Sequence, residues 1–136
     1  KLAMQQALRQ AGVHPTQVQH LNAHATSTQV GDRAELAAIR SLFAQQQDLY
    51  ITSTKGSTGH LLGAAGGIEA AFTVLALRDQ IVPPTLNLDV PDAMAEGLRI
   101  VRGQAQPLRI EHAFSNGFGF GGVNASVLFR RWRAGA

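Results

Sequence analysis

The sequence predicts a layered α/β fold with a mixed β-sheet and a buried helix rich in glycine and alanine. Segments of helical periodicity alternate with short apolar runs in the order α, β, α, β, α, and three further strand-like segments follow. The 136 residues are enough for one hydrophobic core, and 45% of them are apolar, as is typical of a globular domain. We therefore expect a single domain over residues 1–136.

The first part of the chain predicts a helix, a strand and a second helix. Apolar residues recur at helical spacing over residues 2–11, and the short run at 18–25 is typical of a buried strand. Asp32 followed three residues later by Glu35 resembles a capping box. This pattern predicts that the second helix begins here and continues to about residue 44.

The segment from His60 to Arg78 predicts a helix that is buried on most of its faces. It is apolar nearly all round, with Glu69 as the main exception. Each glycine between residues 63 and 67 costs the helix about 1 kcal/mol relative to alanine. Because close backbone approach is the usual compensation, we expect tight packing that fixes the position of His60. A leucine at Gly66 should then push the helix away from its neighbours.

The remaining strands are predicted at residues 49–53, 98–101, 112–116 and 125–129. The last two flank a loop, 117–122, that contains the pattern G-x-G-x-x-G. A dinucleotide-binding fingerprint would open a helix, whereas a strand follows here, so that interpretation is excluded. Exposed amides of such a loop can hold a developing oxyanion, and a plain hairpin turn is the alternative.

The composition argues against several classes of function. The chain has no cysteine, which excludes disulfides and a thiol nucleophile within it. It has neither a run of 18 apolar residues nor a secretion-type leader, so we expect a cytoplasmic location and no membrane contact. The net charge of +3 comes mostly from arginines that are not interleaved with aromatic residues, so we expect no nucleic-acid binding.

Two histidines and a lysine are the candidate catalytic residues. His24 lies at the end of a predicted strand, and Lys55 and His60 lie in a Gly/Ser/Thr-rich stretch that leads into the long helix. Each alone is more typical of a structural residue, but their concentration near element ends indicates an active site. A histidine at a helix N-terminus favours the neutral form, which can donate one N–H to a carbonyl oxygen. The histidines lack metal-ligand spacing, so no metal is expected.

Three motifs resemble those of a known family: NAHATSTQVGD, TSTKGSTGHLLGAAGGIEA and SNGFGFGGVNAS. They are similar to the C-terminal signatures of the elongating β-ketoacyl-[acyl carrier protein] synthases of fatty acid and polyketide synthesis. The resemblance runs from about residue 2 to 130 and implies the C-terminal half of a thiolase-like fold. It also implies an acyltransferase within a longer, homodimeric protein without a cofactor. The implied partners are an N-terminal half and an acyl carrier protein with malonyl-phosphopantetheine.

The resemblance assigns roles to five residues near the first two motifs. His24 and His60 would donate hydrogen bonds to the malonyl thioester carbonyl and stabilise the enolate that forms on decarboxylation. Lys55 would hold the histidines in their protonation pattern. The phosphopantetheine arm of the carrier would be bound by Thr26 and Thr28.

The third motif supplies, by the same resemblance, a gate and part of an oxyanion hole. Phe120 would be the gating residue and its backbone N–H half of the hole, with Gly119 and Phe118 alongside. Supporting roles for the neighbouring loops would fall on three residues: Glu69, Asn22 and Asn116. Because Glu69 follows His60 by nine positions, it should lie about half a helical turn away from the face of that histidine.

The absence of cysteine is the one departure from the family pattern, since the nucleophile of the family is a cysteine on the N-terminal half. The isolated chain is therefore expected to be inactive. An alternative is a non-catalytic pairing subunit, similar to the chain-length-determining partners of polyketide ketosynthases, which lack the cysteine. A more remote alternative is an independent carrier-binding module. Retention of His24, Lys55 and His60 favours the enzyme.

Overall fold

A five-stranded mixed β-sheet organises the chain in the structure, a computed structural model that describes residues 1–133. The last three residues of the expected domain, 134–136, lie outside the described residues. The strands of the described residues are β1 (His20–Asn22), β2 (Tyr50–Thr52), β3 (Ile81–Val82), β4 (Arg99–Ile100), β5 (Gln106–Pro107), β6 (His112–Phe118) and β7 (Asn124–Arg130).

The large sheet has the strand order β4-β2-β1-β6-β7. Strands β4, β2, β1 and β6 run parallel to one another, whereas β7 pairs antiparallel with β6 across the glycine-rich loop. The short strands β3 and β5 form a separate antiparallel pair, which the sequence pattern did not predict. The sheet confirms the predicted mixed α/β class.

Helices cover both faces of this sheet. They are α1 (Leu2–Ala11), α2 (Gln29–Leu42), the single turn α3 (Lys55–Thr58) and α4 (Ala65–Asp79). Met4 of α1 and Ile39 of α2 share a core with Phe114 on one face, and Leu77 of α4 packs with Ala113 in a second core. Phe114 and Ala113 are adjacent on β6, where successive side chains point to opposite faces. The result is a layered arrangement, and each large buried apolar side chain contributes about 1.5–3 kcal/mol to it.

Helix α2 begins earlier than the capping-box pattern indicated. Its first residue is Gln29, and Thr28 occupies the N-cap position, so the predicted start at Asp32 is wrong. Glu35 does not turn back to the helix terminus. Its carboxylate is buried and accepts hydrogen bonds from the backbone at the end of β1, which is why the spacing to Asp32 misled the prediction.

Helix α4 begins at Ala65, five residues after the predicted start at His60, and a 3-10 turn precedes it. The expected burial is found only on the side that faces the sheet. A Cβ built at Gly66 would meet no atom within 4 Å, so the close contact expected there is absent within residues 1–133 and leucine would have room. Val74 is also exposed. The apolar composition predicted burial on most sides of α4, but it could not indicate that residues 1–133 bury only one of them.

The buried histidine of β1 predicts that acid destabilises the fold. His20 Nδ1 bonds the Tyr50 carbonyl oxygen at 3.1 Å, and burial lowers its pKa from 6.5 to about 4. The neutral form therefore stabilises the folded state above pH 6.5, and this contribution is lost as the pH falls towards 4. Since one pKa unit is about 1.4 kcal/mol, the total is on the order of 3 kcal/mol.

Urea-induced unfolding between pH 7 and pH 4 measures this effect. A His20→Gln variant should lose less stability over the interval than the parent protein does. The exposed His14 offers a control, since a His14→Gln variant should follow the parent. Parallel pH dependence of the parent and the His20 variant would show that this residue is not responsible.

Candidate functional site

The candidate catalytic residues come from segments that leave one edge of the sheet. His24 lies two residues beyond the end of β1, and Lys55 opens α3 three residues beyond the end of β2. Because β1 and β2 are parallel neighbours, their carboxyl ends deliver both residues to the same edge. His60 follows α3 after Gly59, the C-cap residue, whose φ of 74° is favoured by glycine. His60 therefore lies in a loop. The sequence had predicted a position at a helix N-terminus, and that prediction is wrong.

The structure brings the two histidines together. The ring centroids of His24 and His60 are 5.5 Å apart, and the rings are nearly perpendicular, at 88°. Phe118 packs on His24 from another side, with ring centroids 5.8 Å apart. His60 is exposed in this chain and His24 is half-buried. One small molecule could therefore contact both imidazoles from the open side.

The position of the proton on His60 follows from a local hydrogen bond. The backbone N–H of Leu62 donates to His60 Nδ1 at 3.2 Å, and this nitrogen must therefore be an acceptor. In the neutral ring the proton then lies on Nε2. The turn that makes this contact holds Leu62 at a φ of 50°, in the left-handed region. His60 is thus oriented as a hydrogen-bond donor through Nε2.

His24 is neutral at physiological pH. Its pKa is lowered to about 4, first because burial disfavours the charged ring, and then because the nearby Lys55 and the neighbouring His60 ring disfavour a further positive charge. Its Nδ1 is buried and has no hydrogen-bond partner within the described residues. A neutral imidazole carries one N–H, so His24 can also act as a donor to a carbonyl oxygen.

Lys55 forms a buried ion pair with Glu69. Their side chains are only 7% and 2% exposed, and Nζ of Lys55 donates to Oε1 of Glu69. The sequence reasoning expected Glu69 to lie away from the site, because it treated residues 60–69 as one helix. A buried glutamate in an apolar helix needs a cationic or hydrogen-bonding partner, and that requirement could have identified Lys55.

The two predicted supporting asparagines lie in separate networks. Asn22 Nδ2 donates to Thr54 Oγ1 and to the Glu69 carbonyl oxygen, both at 3.3 Å, and so connects β1 to α4. Asn116 Nδ2 donates to Glu35 Oε1 at 3.0 Å. Glu35 is the site residue that the sequence analysis missed. The sequence pattern that could have identified it is the spacing of four residues to Ile39, which places the charged Glu35 on the buried side of α2.

The two threonines predicted to bind pantetheine lie side by side. Their hydroxyl oxygens, Oγ1 of Thr26 and Oγ1 of Thr28, are 3.2 Å apart on the loop between β1 and α2. Ala25 and Ser27 of this loop have φ values of 24° and 65°, in the left-handed region that favours glycine. The loop therefore holds a conformation that its neighbours must stabilise.

The glycine-rich loop places its two phenylalanines differently. Phe118 contacts His24, whereas the ring of Phe120 is fully exposed and does not pack on either histidine. The Gly119 N–H already donates to the Val123 carbonyl oxygen at 2.8 Å. A gating or oxyanion-hole role for Phe120 stays a prediction that this chain by itself does not test.

A cavity of about 360 Å³ adjoins the site, between α2 and the segment 85–95, and Lys55 and His60 line one end of it. Within residues 1–133, no group of three or more histidine, cysteine, aspartate or glutamate side chains is arranged to hold a metal ion. None of the helices in that range is long and apolar enough to cross a membrane.

The fold and the site place the chain among the thiolase-fold ketosynthases. The crystal structure of a β-ketoacyl synthase from Burkholderia phymatum matches it with a TM-score of 0.90 and 40% sequence identity, over 96% of this chain and 31% of that one. Residues 1–89 match the family described as "Beta-ketoacyl synthase, C-terminal domain". The chain belongs to this family.

Curated relatives carry the corresponding enzyme name. The chain is 49% identical over 133 residues to 3-oxoacyl-[acyl-carrier-protein] synthase 2 of Staphylococcus aureus. The aligned region covers 97% of this chain and 32% of that protein. It is 47% identical over 131 residues to the mitochondrial 3-oxoacyl-[acyl-carrier-protein] synthase of Arabidopsis thaliana, over 94% of the chain and 28% of that protein. The chain thus spans about a third of the length of these relatives.

A further solved structure includes a bound partner. It is a ketosynthase of a type II polyketide synthase in complex with its acyl-carrier protein and bound to a hexaketide. The match has a TM-score of 0.90 and 30% identity, and it covers 96% of this chain and 32% of that one.

Proposed function

We propose that the chain is the C-terminal part of a 3-oxoacyl-[acyl-carrier-protein] synthase and supplies the residues that decarboxylate a malonyl thioester. The observation that carries the proposal is the proximity of the His24 and His60 imidazoles, whose ring centroids are 5.5 Å apart, in a site that also contains the buried Lys55. Such donors stabilise charge that develops on a carbonyl oxygen.

In the proposed reaction, His60 Nε2–H and His24 donate to the thioester carbonyl oxygen of the malonyl group. The C–C bond to the carboxylate breaks and carbon dioxide leaves. The electron pair of that bond stays on the malonyl α-carbon and forms the enolate, which the two donors stabilise. The enolate carbon attacks the carbonyl carbon of the acyl thioester on the cysteine of the missing half. A new C–C bond forms, the C–S bond breaks, the cysteine leaves as a thiolate, and the 3-oxoacyl product remains attached to the carrier. Lys55 stays paired with Glu69, and its charge disfavours protonation of His24.

The loops around the histidines have the other proposed roles. Thr26 and Thr28 would bind the pantetheine arm, and their adjacent hydroxyls on the β1–α2 loop support this. Phe118, Gly119 and Phe120 would border the acyl group held by the missing half. The exposure of Phe120 in this chain leaves its ring available for that contact.

The missing N-terminal half would cover the exposed side of α4. That side is apolar and includes Val74, Leu75 and Gly66. A cysteine on that half would be the nucleophile, since this chain has none. We also propose that the parent protein is a homodimer in the cytoplasm and receives malonyl groups from an acyl carrier protein, as the solved ketosynthase–carrier complex suggests by analogy.

A non-catalytic pairing subunit is the second candidate function, since it would also lack the cysteine. A pairing subunit needs neither two converging histidines nor a buried lysine behind them. The geometry of His24, His60 and Lys55 therefore favours the enzyme.

Release of carbon dioxide from a malonyl-loaded carrier protein tests the proposal. We expect release by the intact protein that contains this chain, and none by residues 1–136 alone, because the substrate cleft needs both halves. Carbon dioxide release by the isolated chain would contradict the required second half. An intact protein that binds the carrier without decarboxylating the malonyl group would instead support the pairing subunit.

A further inference from the structure

We propose that Thr85 is a positioning residue, whose hydroxyl fixes the backbone that leads from β2 to Lys55 and so places Lys55 and His60 for the reaction. This inference rests on the proposed decarboxylation. Thr85 lies between β3 and β4, thirty residues after Lys55 in the sequence. It acts only through the backbone of the loop that follows β2.

The regular pairing of β2 with β4 ends before the carboxyl edge of the sheet. The two strands are parallel, with Ile51 opposite Ile100. A ladder bond runs from the Val101 N–H to the Ile51 carbonyl oxygen at 2.9 Å. In a continued parallel ladder, the next bond would join the Ser53 N–H to the Val101 carbonyl oxygen. Both of these groups bind Thr85 instead.

Thr85 stands between the ends of the two strands. Its backbone N–H donates to the Val101 carbonyl oxygen at 2.8 Å, and its hydroxyl oxygen accepts from the Ser53 N–H at 3.0 Å. One residue therefore satisfies the two backbone groups that the ladder leaves without each other. The bond to β4 comes from the backbone, whereas the bond to the end of β2 depends on the side chain.

The segment that carries Thr85 is itself fixed to the sheet. The backbone of Thr85 forms an isolated parallel bridge with Arg102, which follows β4. Two residues before Thr85, the Pro83 carbonyl oxygen accepts a hydrogen bond from the Thr52 hydroxyl at 2.7 Å. The hydroxyl of Thr85 is thus held on a segment that is bound to both β2 and β4, and it can restrain the chain beyond β2.

That restraint acts close to the candidate catalytic residues. Thr54 alone separates Ser53 from Lys55, the first residue of α3, and His60 follows the end of α3. Ser53 is buried, so its N–H would find no water if the hydroxyl were removed. A buried N–H without an acceptor costs about 1–3 kcal/mol, and the backbone would shift to recover a bond. Such a shift displaces the start of α3.

Ser53 also contacts the loop that carries His24. Its hydroxyl donates to the Ala25 carbonyl oxygen at 3.4 Å. Ala25 directly follows His24 and has a φ of 24°, which a residue with a Cβ rarely adopts. The position of Ser53 therefore affects both loops from which the candidate catalytic side chains extend.

A Thr85→Val variant of the intact synthase tests the inference. Valine has a shape similar to that of threonine but no hydroxyl, so the Ser53 N–H loses its acceptor while the backbone bond to Val101 stays. We expect kcat for decarboxylation of a malonyl-loaded carrier to fall about 10-fold, since a displacement of about 1 Å can cost 10²-fold. KM should change less than about twofold, because the lost contact is not one that binds the carrier.

Two further variants separate the hydroxyl from the rest of the side chain. Thr85→Ala also lacks the hydroxyl and should show the same loss of kcat. Thr85→Ser keeps it and should restore kcat to within about twofold of the parent protein. Thr16→Val is the matched control, because the hydroxyl of Thr16 is exposed and bonds the His14 ring, far in the sequence from the site.

The amount of acylated cysteine counts the intact sites, and kcat is expressed per acylated site. A Thr85→Val kcat that equals that of the Thr16 control would overturn the inference, and so would a Thr85→Ser kcat as low as that of the valine variant. A loss that disappears when kcat is expressed per acylated site would indicate a merely structural role and also overturn it. A parent protein that cannot decarboxylate would instead refute the proposed function.

Discussion

Replacing His60 by alanine is expected to lower the rate of malonyl decarboxylation by the intact synthase about 10²–10³-fold, as the loss of one oxyanion donor does in other enzymes. The Leu62 N–H donates to Nδ1 of His60, so the proton of the neutral ring lies on Nε2, the nitrogen that would donate to the substrate. Alanine leaves the thioester oxygen without this donor. The measurement is carbon dioxide release from a malonyl-loaded carrier at saturating concentration.

The same change at His24 should have an effect of similar size, and the double variant should lose less than the product of the two single effects, because both donors serve one oxygen. His14 is the matched control, since it is exposed and its ring bonds only to Thr16 on the same turn. A His60→Ala synthase that decarboxylates as fast as the His14→Ala control would refute the assigned role.

Replacing Lys55 by methionine is expected to destabilise the protein by about 3–5 kcal/mol, the usual cost of removing one partner of a buried ion pair. Glu69 would then keep a buried carboxylate without its cation, and its Oε2 already has no hydrogen-bond partner within the described residues. The free energy of unfolding in urea at neutral pH measures this change.

Two comparisons separate the charge effect from the loss of packing. A Lys55→Met, Glu69→Gln double variant should recover much of the lost stability, because no uncompensated charge remains. Removing the exposed partner Arg33 from its ion pair with Asp92 should change stability little, since water screens that pair. If the Lys55 variant were as stable as the Arg33 variant, the buried pair would have no structural importance.

Much of the fold was predictable because its signals are local. Helical spacing over residues 2–11 predicted α1 with its observed bounds, and the apolar runs at 49–53 and 112–116 contain or overlap β2 and β6. Errors occurred where a local pattern had a distant partner. The spacing of Asp32 and Glu35 resembles a helix cap, but Glu35 binds the end of β1 instead.

The candidate site divides in the same way. The sequence alone predicted His24, Lys55 and His60 as candidate catalytic residues, because ionisable side chains were concentrated in Gly/Ser/Thr-rich segments and within the family motifs. It could not show that Lys55 pairs with Glu69, since the backbone between them has positive φ values at Gly59 and Leu62 and does not continue as one helix.

By itself, then, the amino-acid sequence determined the α/β class and the family, and it predicted the two candidate histidines, since each of these is expressed in local periodicity or in contiguous motifs. Only the tertiary structure decided that the ring centroids lie 5.5 Å apart, that Lys55 forms an ion pair with Glu69 and that Glu35 accepts a hydrogen bond from the backbone of His24. The physical reason is that these contacts join residues distant in the chain, and parallel strand pairing, which brings them together, leaves no local pattern in the sequence.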